Sequence, residues 1–455
     1  MFARILSWFR SRKNPQPASD APGIEVLDRQ APLRATLGED AVAPSTGETY
    51  VCRDAVLGKD QRIAGHHFLL RESTRSRIRH NSRLVHHVYA EVLVRSLTSG
   101  DVGRLLGHRL AFVDIPDSFA DRECLCDLPA SNTVLCFTTL PDAGAPDTSD
   151  LSVRLTDLKA KGYAIALPAP GLGTEFTPHL PLADYLVLEA ASLDTASFER
   201  LHSGLSTLAR KPALIARGIP AMEHFRFCLD NGVTLFQGPF VTSRENWSDN
   251  HVAPNTVRLG ELVARLRRDA ETRELVEHIK HEPALSLRLL RYVNSAAGGL
   301  RTPVSSIDAA LQMIGRDRLG RWLMLLLCNQ AAQGGRGSSA LDIALVRARF
   351  MELGAAASKG SSPEALFLTG LLSLIDVVLQ VPLERALESL SVSTDIAQAV
   401  IAGEGPNAPL LALAKGCELP GAEGLKKLAE RCGLTPAQVS QNQFDALMWA
   451  SEVQA

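Results

Sequence analysis

Residues 281–327 read HEPALSLRLLRYVNSAAGGLRTPVSSIDAALQMIGRDRLGRWLMLLL, and this stretch settles what the second half of the chain is. Pro283 suits the first position of a helix, where no amide donor is needed and φ is already helical. Ser306 is placed to cap the next helix through its hydroxyl, and Gly315 to end it. The apolar run that follows Gly320 reads as a buried helix. Working upstream, Leu259, Leu262 and Leu266 share one helical face, as do Leu275 and Ile279. Downstream, LDIALVRARFMELGAAAS (341–358) and PEALFLTGLLSLIDVVLQ (363–380) continue the pattern between Gly/Ser and Pro breaks. From Val257 onward the chain is predicted to be all-α. Ala344, Ala348 and Met351 suit either a contact groove or a close seam between two helices of one domain.

The first half has a different texture. TYVCRDAVLGKDQRIAGHHFLLR (49–71) holds two apolar runs around a GKDQ turn, the pattern of a hairpin. Short aliphatic runs then recur at 110–115, 132–137, 163–168, 184–190, 212–217 and 233–238, each bounded by Gly, Pro or Asp. Helical stretches separate several of them, two ending at glycine. Fully apolar strands alternating with helices imply a mainly parallel sheet covered on both faces. Six or more such units over this length fit a (β/α) barrel better than a doubly wound sheet.

The bulk numbers set limits. The chain has 455 residues, enough for two or three cores, with 45% hydrophobic and 22% charged residues. A formal net charge of −2 supplies no global field toward nucleic acid or anionic membrane. The 8 cysteines include no CxxC pair, so they read as reduced thiols of a cytoplasmic protein. No apolar run is long enough for a transmembrane helix. Residues 1–13, MFARILSWFRSRK, are basic and aromatic, and read as a frayed end or as a weak peripheral membrane contact. Residues 14–49 have the composition of a loosely held tail.

The helical stretch resembles the core of an HDOD domain. Pro283, Leu290, Asn294, Ser295, Ala296, Ile307, Ala310, Ile314 and Gly315 fall on that family's pattern, and FDALMWA (444–450) resembles the tail of such domains. Residues 50–242 resemble an EAL domain, the barrel of cyclic di-GMP phosphodiesterases. GHHFLLR (65–71) stands where that family has Gly-Tyr-Glu-Ala-Leu-x-Arg, DYLVLEA (184–190) matches its Asp-Tyr-x-Lys-x-Asp strand, and GVTLFQGPF (232–240) its Gln-Gly strand. The resemblance implies a degenerate (β/α)8-type EAL-like barrel followed by an all-helical HDOD domain. The expected division is a tail over 1–49, the barrel over 50–242 and the HDOD domain over 250–452.

EAL catalysis, as the resemblance implies, uses two divalent cations held by carboxylates at the C-terminal ends of the strands. At those positions this chain has His67, Asp114, Cys136, Pro168, Ala169, Val187, Glu189 and Arg217, with Gln237 kept. Asp114 and Glu189 alone do not make a two-metal site. HD-type hydrolases, a related helical class, place adjacent histidine and aspartate where this chain has Ser373 and Leu374. LVRARFMEL (345–353), where a further ligand histidine falls, has none. Asp376 then reads as a capping or hydrogen-bonding acid.

The remaining candidates have bland readings. The adjacent pairs His66–His67 and His86–His87 read as partly exposed histidines. His278 and His281, with Glu277 or Glu282, have chelate spacing but also suit a solvated helix face. APGLGTEF (169–176) lacks the lysine of a P-loop, and RESTRSRIRH (71–80) reads as a solvated basic run.

The expectation is therefore a chain that is not an enzyme, with no catalytic residue, no metal and no cofactor. It is read as a scaffold of cyclic di-GMP-linked signalling that contacts other signalling proteins and no nucleic acid. The alternatives are a sensor that binds cyclic di-GMP through Arg71, Arg217 and stacking without cleaving it, and a residual phosphodiesterase.

Overall fold

The computed structural model describes residues 49–72, 83–100, 102–138, 148–169, 174–245, 247, 250, 254–296, 304, 306–332, 334–356, 361–418 and 424–454. Residues 1–48, nearly all of 71–80 and half of 169–176 lie outside them, and with these the expectations for the tail, the membrane contact, the basic run and the glycine-rich turn. The chain divides into two compact units. One holds the described chain up to Ser243 together with Leu413–Phe444, and the other Arg244–Ala412 with the chain from Asp445.

The first unit is built on strands β1 (Thr49–Gly58), β2 (Ile63–Glu72), β3 (Leu110–Pro116), β4 (Thr133–Thr138), β5 (Ala164–Pro168), β6 (Tyr185–Glu189), β7 (Ala213–Arg217) and β8 (Leu235–Gln237). They close into a barrel in sequence order. β1 runs antiparallel to both its neighbours, and all other pairs are parallel. The GKDQ turn joins β1 to β2, with the Gly58 amide donating to the Arg62 carbonyl at 2.9 Å. Helices α1 (Arg83–Ser99), α2 (Val102–Leu106), α3 (Thr148–Ala160), α4 (Thr195–Leu205) and α5 (Met222–Asp230) fill the connections.

Alternation along each strand decides what the barrel encloses. Val56, Phe112, Val134, Cys136, Ala166, Ile215 and Leu235 form one buried cluster inside it. Each such aliphatic or aromatic side chain contributes about 1.5–3 kcal/mol on leaving water. At Gly65 a Cβ would lie 2.3 Å from the Leu110 carbonyl oxygen, so only glycine lets β2 approach β3 there.

The second unit is helical: α6 (Pro254–Arg267), α7 (Thr272–Lys280), α8 (Pro283–Ala296), α9 (Ile307–Ile314), α10 (Arg316–Ala331), α11 (Gly335–Leu353), α12 (Pro363–Leu372), α13 (Ile375–Leu379), α14 (Leu383–Ser389) and α15 (Thr394–Ile401). The predicted caps are present. The Ser306 hydroxyl accepts from the Ala309 amide at 3.2 Å, and Gly315 leaves the helix at φ 75°. Asn294 pairs both ways with the Val304 backbone, at 2.9 and 2.7 Å. Ala344, Ala348 and Met351 are fully buried, and a Cβ on Gly370 would meet the Ala348 backbone at 2.5 Å. Those small residues therefore form a seam between α11 and α12 within the unit.

The chain crosses between units twice more, inside α16 (Ala408–Gly416) and α18 (Pro436–Gln454), with α17 (Leu425–Arg431) between them. Residues 413–444, placed with the helical domain on sequence grounds, thus group with the barrel. The reason is the edge of β1. Only Val56, Leu57 and Gly58 pair with β8, which leaves Thr49–Ala55 without a strand on that edge among the described residues. The Val51 amide donates to the Ser440 hydroxyl at 3.0 Å and the Arg53 amide to the Cys417 carbonyl at 3.2 Å. Backbone donors in a buried strand need such partners.

Gly370→Ala should destabilise the protein by about 1–3 kcal/mol in chemical denaturation, because the α11–α12 seam has no room for a methyl group. Gly204→Ala, in the open on α4, should be neutral or stabilise by up to about 1 kcal/mol.

Candidate functional site

The C-terminal ends of parallel strands form the mouth of a barrel of this kind, where side chains from separate strands meet. Here the inward positions bring together Asp54 from β1, His67 from β2, Asp114 from β3, Arg217 from β7 and Gln237 from β8. Gln237 Nε2 donates to Asp54 Oδ2 at 3.0 Å and to His67 Nδ1 at 2.9 Å. With Nδ1 accepting, the ring proton sits on Nε2, which lies 3.0 Å from Asp114 Oδ2. Arg217 Nη1 donates to the other oxygen, Asp114 Oδ1, at 3.1 Å. The result is a continuous chain Asp54–Gln237–His67–Asp114–Arg217 across the barrel.

Electrostatics follow from this wiring. Burial pushes the Asp114 carboxyl up, but Arg217 and then His67 outweigh it and hold it well below the usual carboxylate range. Burial acts against the Arg217 charge, and Asp114 more than restores it. The Cys136 thiol, beside Arg217, is pushed up to about 12 by burial and stays protonated. Asp54 has no cation bonded to it, and burial raises its carboxyl to about 6 against the Gln237 hydrogen bond. Arg217 Nε and Nη2 are buried and have no hydrogen-bond partner among the described residues. They are donors still to be used.

The positions singled out in the sequence fare differently. His67, Asp114, Cys136, Arg217 and Gln237 converge as described. Glu189 stands beside Arg217 in the β6–β7 register. Ala169 is buried, its amide donating to the Val187 carbonyl at 3.0 Å. Arg71 donates to the Gly416 carbonyl at 2.8 Å. Asp54 was missed, although its place two residues before Val56 on an alternating strand is a usable signal. His66 and His67 are not the partly exposed pair expected: both are buried, at 2% and 7% exposure. They occupy opposite faces of β2, and His66 has no partner for either ring nitrogen among the described residues. Burial, helped by the cations Arg53 and Arg109, lowers the His66 pKa and holds the ring neutral.

A pair of divalent cations, which the EAL resemblance implies, does not fit these residues. Both oxygens of Asp114 are taken, and a buried guanidinium stands where cation charge would be needed. At an effective dielectric of 20, a positive charge near 4 Å from a divalent ion costs roughly 8 kcal/mol. Among the described residues no group of three His, Cys, Asp or Glu side chains is placed to hold a metal. His278 and His281 instead line a cavity with Glu282, which pairs with Arg258 at 3.3 Å.

In the helical unit, Ser373 receives a hydrogen bond from Arg347 Nη1 at 3.0 Å and donates to the Gly370 carbonyl at 2.7 Å. Leu374 is buried in the core. Asp376, 1% exposed, accepts from Arg244 Nε at 2.6 Å. Arg347 and Arg244 were not foreseen, since neither sits at a distinctive spacing from its partner.

Residues 255–395 match the HDOD domain family, so the helical unit carries an HDOD domain. Along the whole chain, a Vibrio cholerae serotype O1 protein named cyclic di-GMP phosphodiesterase CdgJ is 24% identical over 409 residues, covering 89% of this chain and 93% of its own. The protein YuxH of Bacillus subtilis is 23% identical, covering 87% and 99%. Among solved structures, the EAL-domain protein YkuI of Bacillus subtilis, in complex with cyclic di-GMP and calcium, aligns over 60% of this chain and 74% of its own, at 19% identity and a TM-score of 0.36. An EAL-domain protein from Listeria monocytogenes aligns over 42% and 87%, at 13% identity and a TM-score of 0.36.

These likenesses correct one expectation. The sequence reading had the chain as no enzyme, yet a relative alignable over nearly its whole length carries the name of a phosphodiesterase. The substitutions at His67, Cys136, Pro168, Ala169, Val187 and Arg217 therefore do not establish that catalysis is absent. No helix among the described residues is long and apolar enough to cross a membrane.

Asp54 supplies a pH test. Its folded pKa of about 6 lies above the ordinary value of 3.8, so the folded state binds the extra proton between those limits. Stability should fall as pH rises from about 4 to 6, by up to about 3 kcal/mol at the limit of full burial. Asp54→Asn, which keeps an acceptor for Gln237, should raise the thermal midpoint at pH 7 and lose that gain at pH 4.

Proposed function

We propose that this chain is a regulatory protein of cyclic di-GMP-linked signalling whose barrel mouth takes the phosphodiester of the cyclic dinucleotide. The observation that carries the reading is Arg217. Its Nη1 is committed to Asp114, while Nε and Nη2 remain as buried donors without partners among the described residues. A guanidinium edge presenting two parallel N–H groups matches a phosphodiester oxygen pair, and charge-assisted bonds of this kind are about twice as strong as neutral ones. Asp114, held ionised, fixes the orientation of that edge. His67, itself held by Gln237, stands at 3.0 Å from the other Asp114 oxygen, so the group is preformed.

The relative named as a cyclic di-GMP phosphodiesterase supports the choice of ligand class. The protein's output is carried through protein contacts of the HDOD domain. On that domain Leu287 and Met313 are large apolar side chains left 51% and 44% exposed. Such positions suit contact with another signalling protein.

Isothermal titration of the full chain with cyclic di-GMP should give saturable heat. Arg217→Lys keeps a cation beside Asp114 but loses the two spare donors, and should weaken binding by at least about tenfold with little change in thermal midpoint. Absence of binding by the natural protein would sink the reading. Magnesium or manganese added to the same samples reports whether cleavage accompanies binding.

A further inference from the structure

A second cavity, of about 870 Å³, lies within the helical unit, away from Ser373 and Asp376. It is lined by five arginines and four acids, and they are not equivalent. Arg321, 5% exposed, grips Glu352 with both terminal nitrogens at 2.7 and 3.1 Å, stacked 3.4 Å over the Phe367 ring. Arg349 adds a bond to Glu352 at 2.7 Å. Arg316 closes the C-terminus of α6 by donating to the Ala270 and Leu266 carbonyls, at 2.9 and 3.1 Å. Arg267, at the end of α6, has no hydrogen bond or ion pair among the described residues, only the field of Glu364. Burial lowers its pKa.

Helix ends add to this charge. The first turns of α10 and α12 and the start of α15 all border the cavity. α10 and α15 have no side-chain cap on their terminal amides. Uncapped amides and the positive end of the helix dipole favour an anion, a pull that Asp317 and Asp395 in the same first turns meet in part. In the first turn of α12, Glu364 pairs through Oε2 with Arg321 Nη1 at 3.4 Å, while its Oε1 is buried without a hydrogen-bond partner among the described residues. Leu266, Leu368 and Ile396 supply apolar lining. The volume is in the range of small-molecule sites.

We infer that this cavity is a binding site for a phosphorylated small molecule of nucleotide size, its phosphate held by Arg267 and the uncapped start of α10. A hydrogen-bond donor on the rest of the ligand, such as an amino group of a base or a sugar hydroxyl, reaches Glu364. The apolar wall takes the flat face of the base. Nothing in this assignment depends on the barrel mouth.

Titration of the full chain with GMP as probe, beside guanosine and inorganic phosphate, tests it. GMP should bind with a Kd of about 100 µM or tighter, and guanosine at least about tenfold more weakly. Arg267→Met removes a half-buried charge without cutting an ion pair, so the fold should persist with little change in thermal midpoint. In that variant GMP affinity should fall at least about tenfold while binding of cyclic di-GMP at the barrel mouth is unchanged. Glu364→Gln should weaken GMP more than phosphate. The assignment is overturned if GMP gives no heat at millimolar concentration, if Arg267→Met binds it as well as the natural protein, or if inorganic phosphate binds as tightly as GMP.

Discussion

Three residue pairs close the barrel. Val56, Leu57 and Gly58 of β1 meet Gln237, Phe236 and Leu235 of β8, and without them the sheet would end in two exposed edges. The bend after β8 makes that contact possible. Gly238 adopts φ 145°, and a Cβ there would lie 2.4 Å from the Ile219 amide nitrogen. The Ile219 amide in turn donates to the Gln237 carbonyl at 3.0 Å, which pins the end of β8 against the loop after β7. Beyond these pairs, β1 is sealed by Ser440 and Cys417 in place of a strand. Closure therefore draws on residues far apart in the chain.

Closure also decides the chemistry of the mouth. Once the ring is shut, the inward positions of β1, β2, β3, β7 and β8 have nowhere to point except at each other. Carboxylates, an imidazole, an amide and a guanidinium satisfy one another there, with Asp114 still one-third open to water. Two charges at about 4 Å attract by about 4 kcal/mol at an effective dielectric of 20, against several kcal/mol of desolvation for each ion. The Asp114–Arg217 pair alone does not recover that cost, and it gains further from His67, whose Nε2 lies 3.0 Å from Asp114 Oδ2 while Gln237 holds its Nδ1.

Much of the architecture could be read in the sequence because its signals are local. The eight strands are short aliphatic runs with turn residues at both ends, and the caps at Ser306 and Gly315 follow from single residue types. The inward set His67, Asp114, Arg217 and Gln237 was legible through resemblance to a family pattern. Asp54 was not, since it falls outside the motifs that drew attention to the others. The burial of His66 was hidden because the cover over that face of β2 comes from elsewhere in the chain. Arg347 and Arg244 find Ser373 and Asp376 only through tertiary packing, and spacing along one helix says nothing of it. The grouping of 413–444 with the barrel escaped notice for the same reason: its helices look like any others, and only the half-unpaired edge of β1 explains where they belong.

That edge has a consequence for how the protein comes into being. The ribosome completes β8 at Gln237, but the partners of the Val51 and Arg53 amides emerge only with Cys417 and Ser440. Until then a nascent barrel carries an open strand edge through the synthesis of the entire HDOD core. The last backbone bonds of the first strand thus wait on the last part of the chain to be made. A cut at the apparent linker near residue 243 would make the interval permanent.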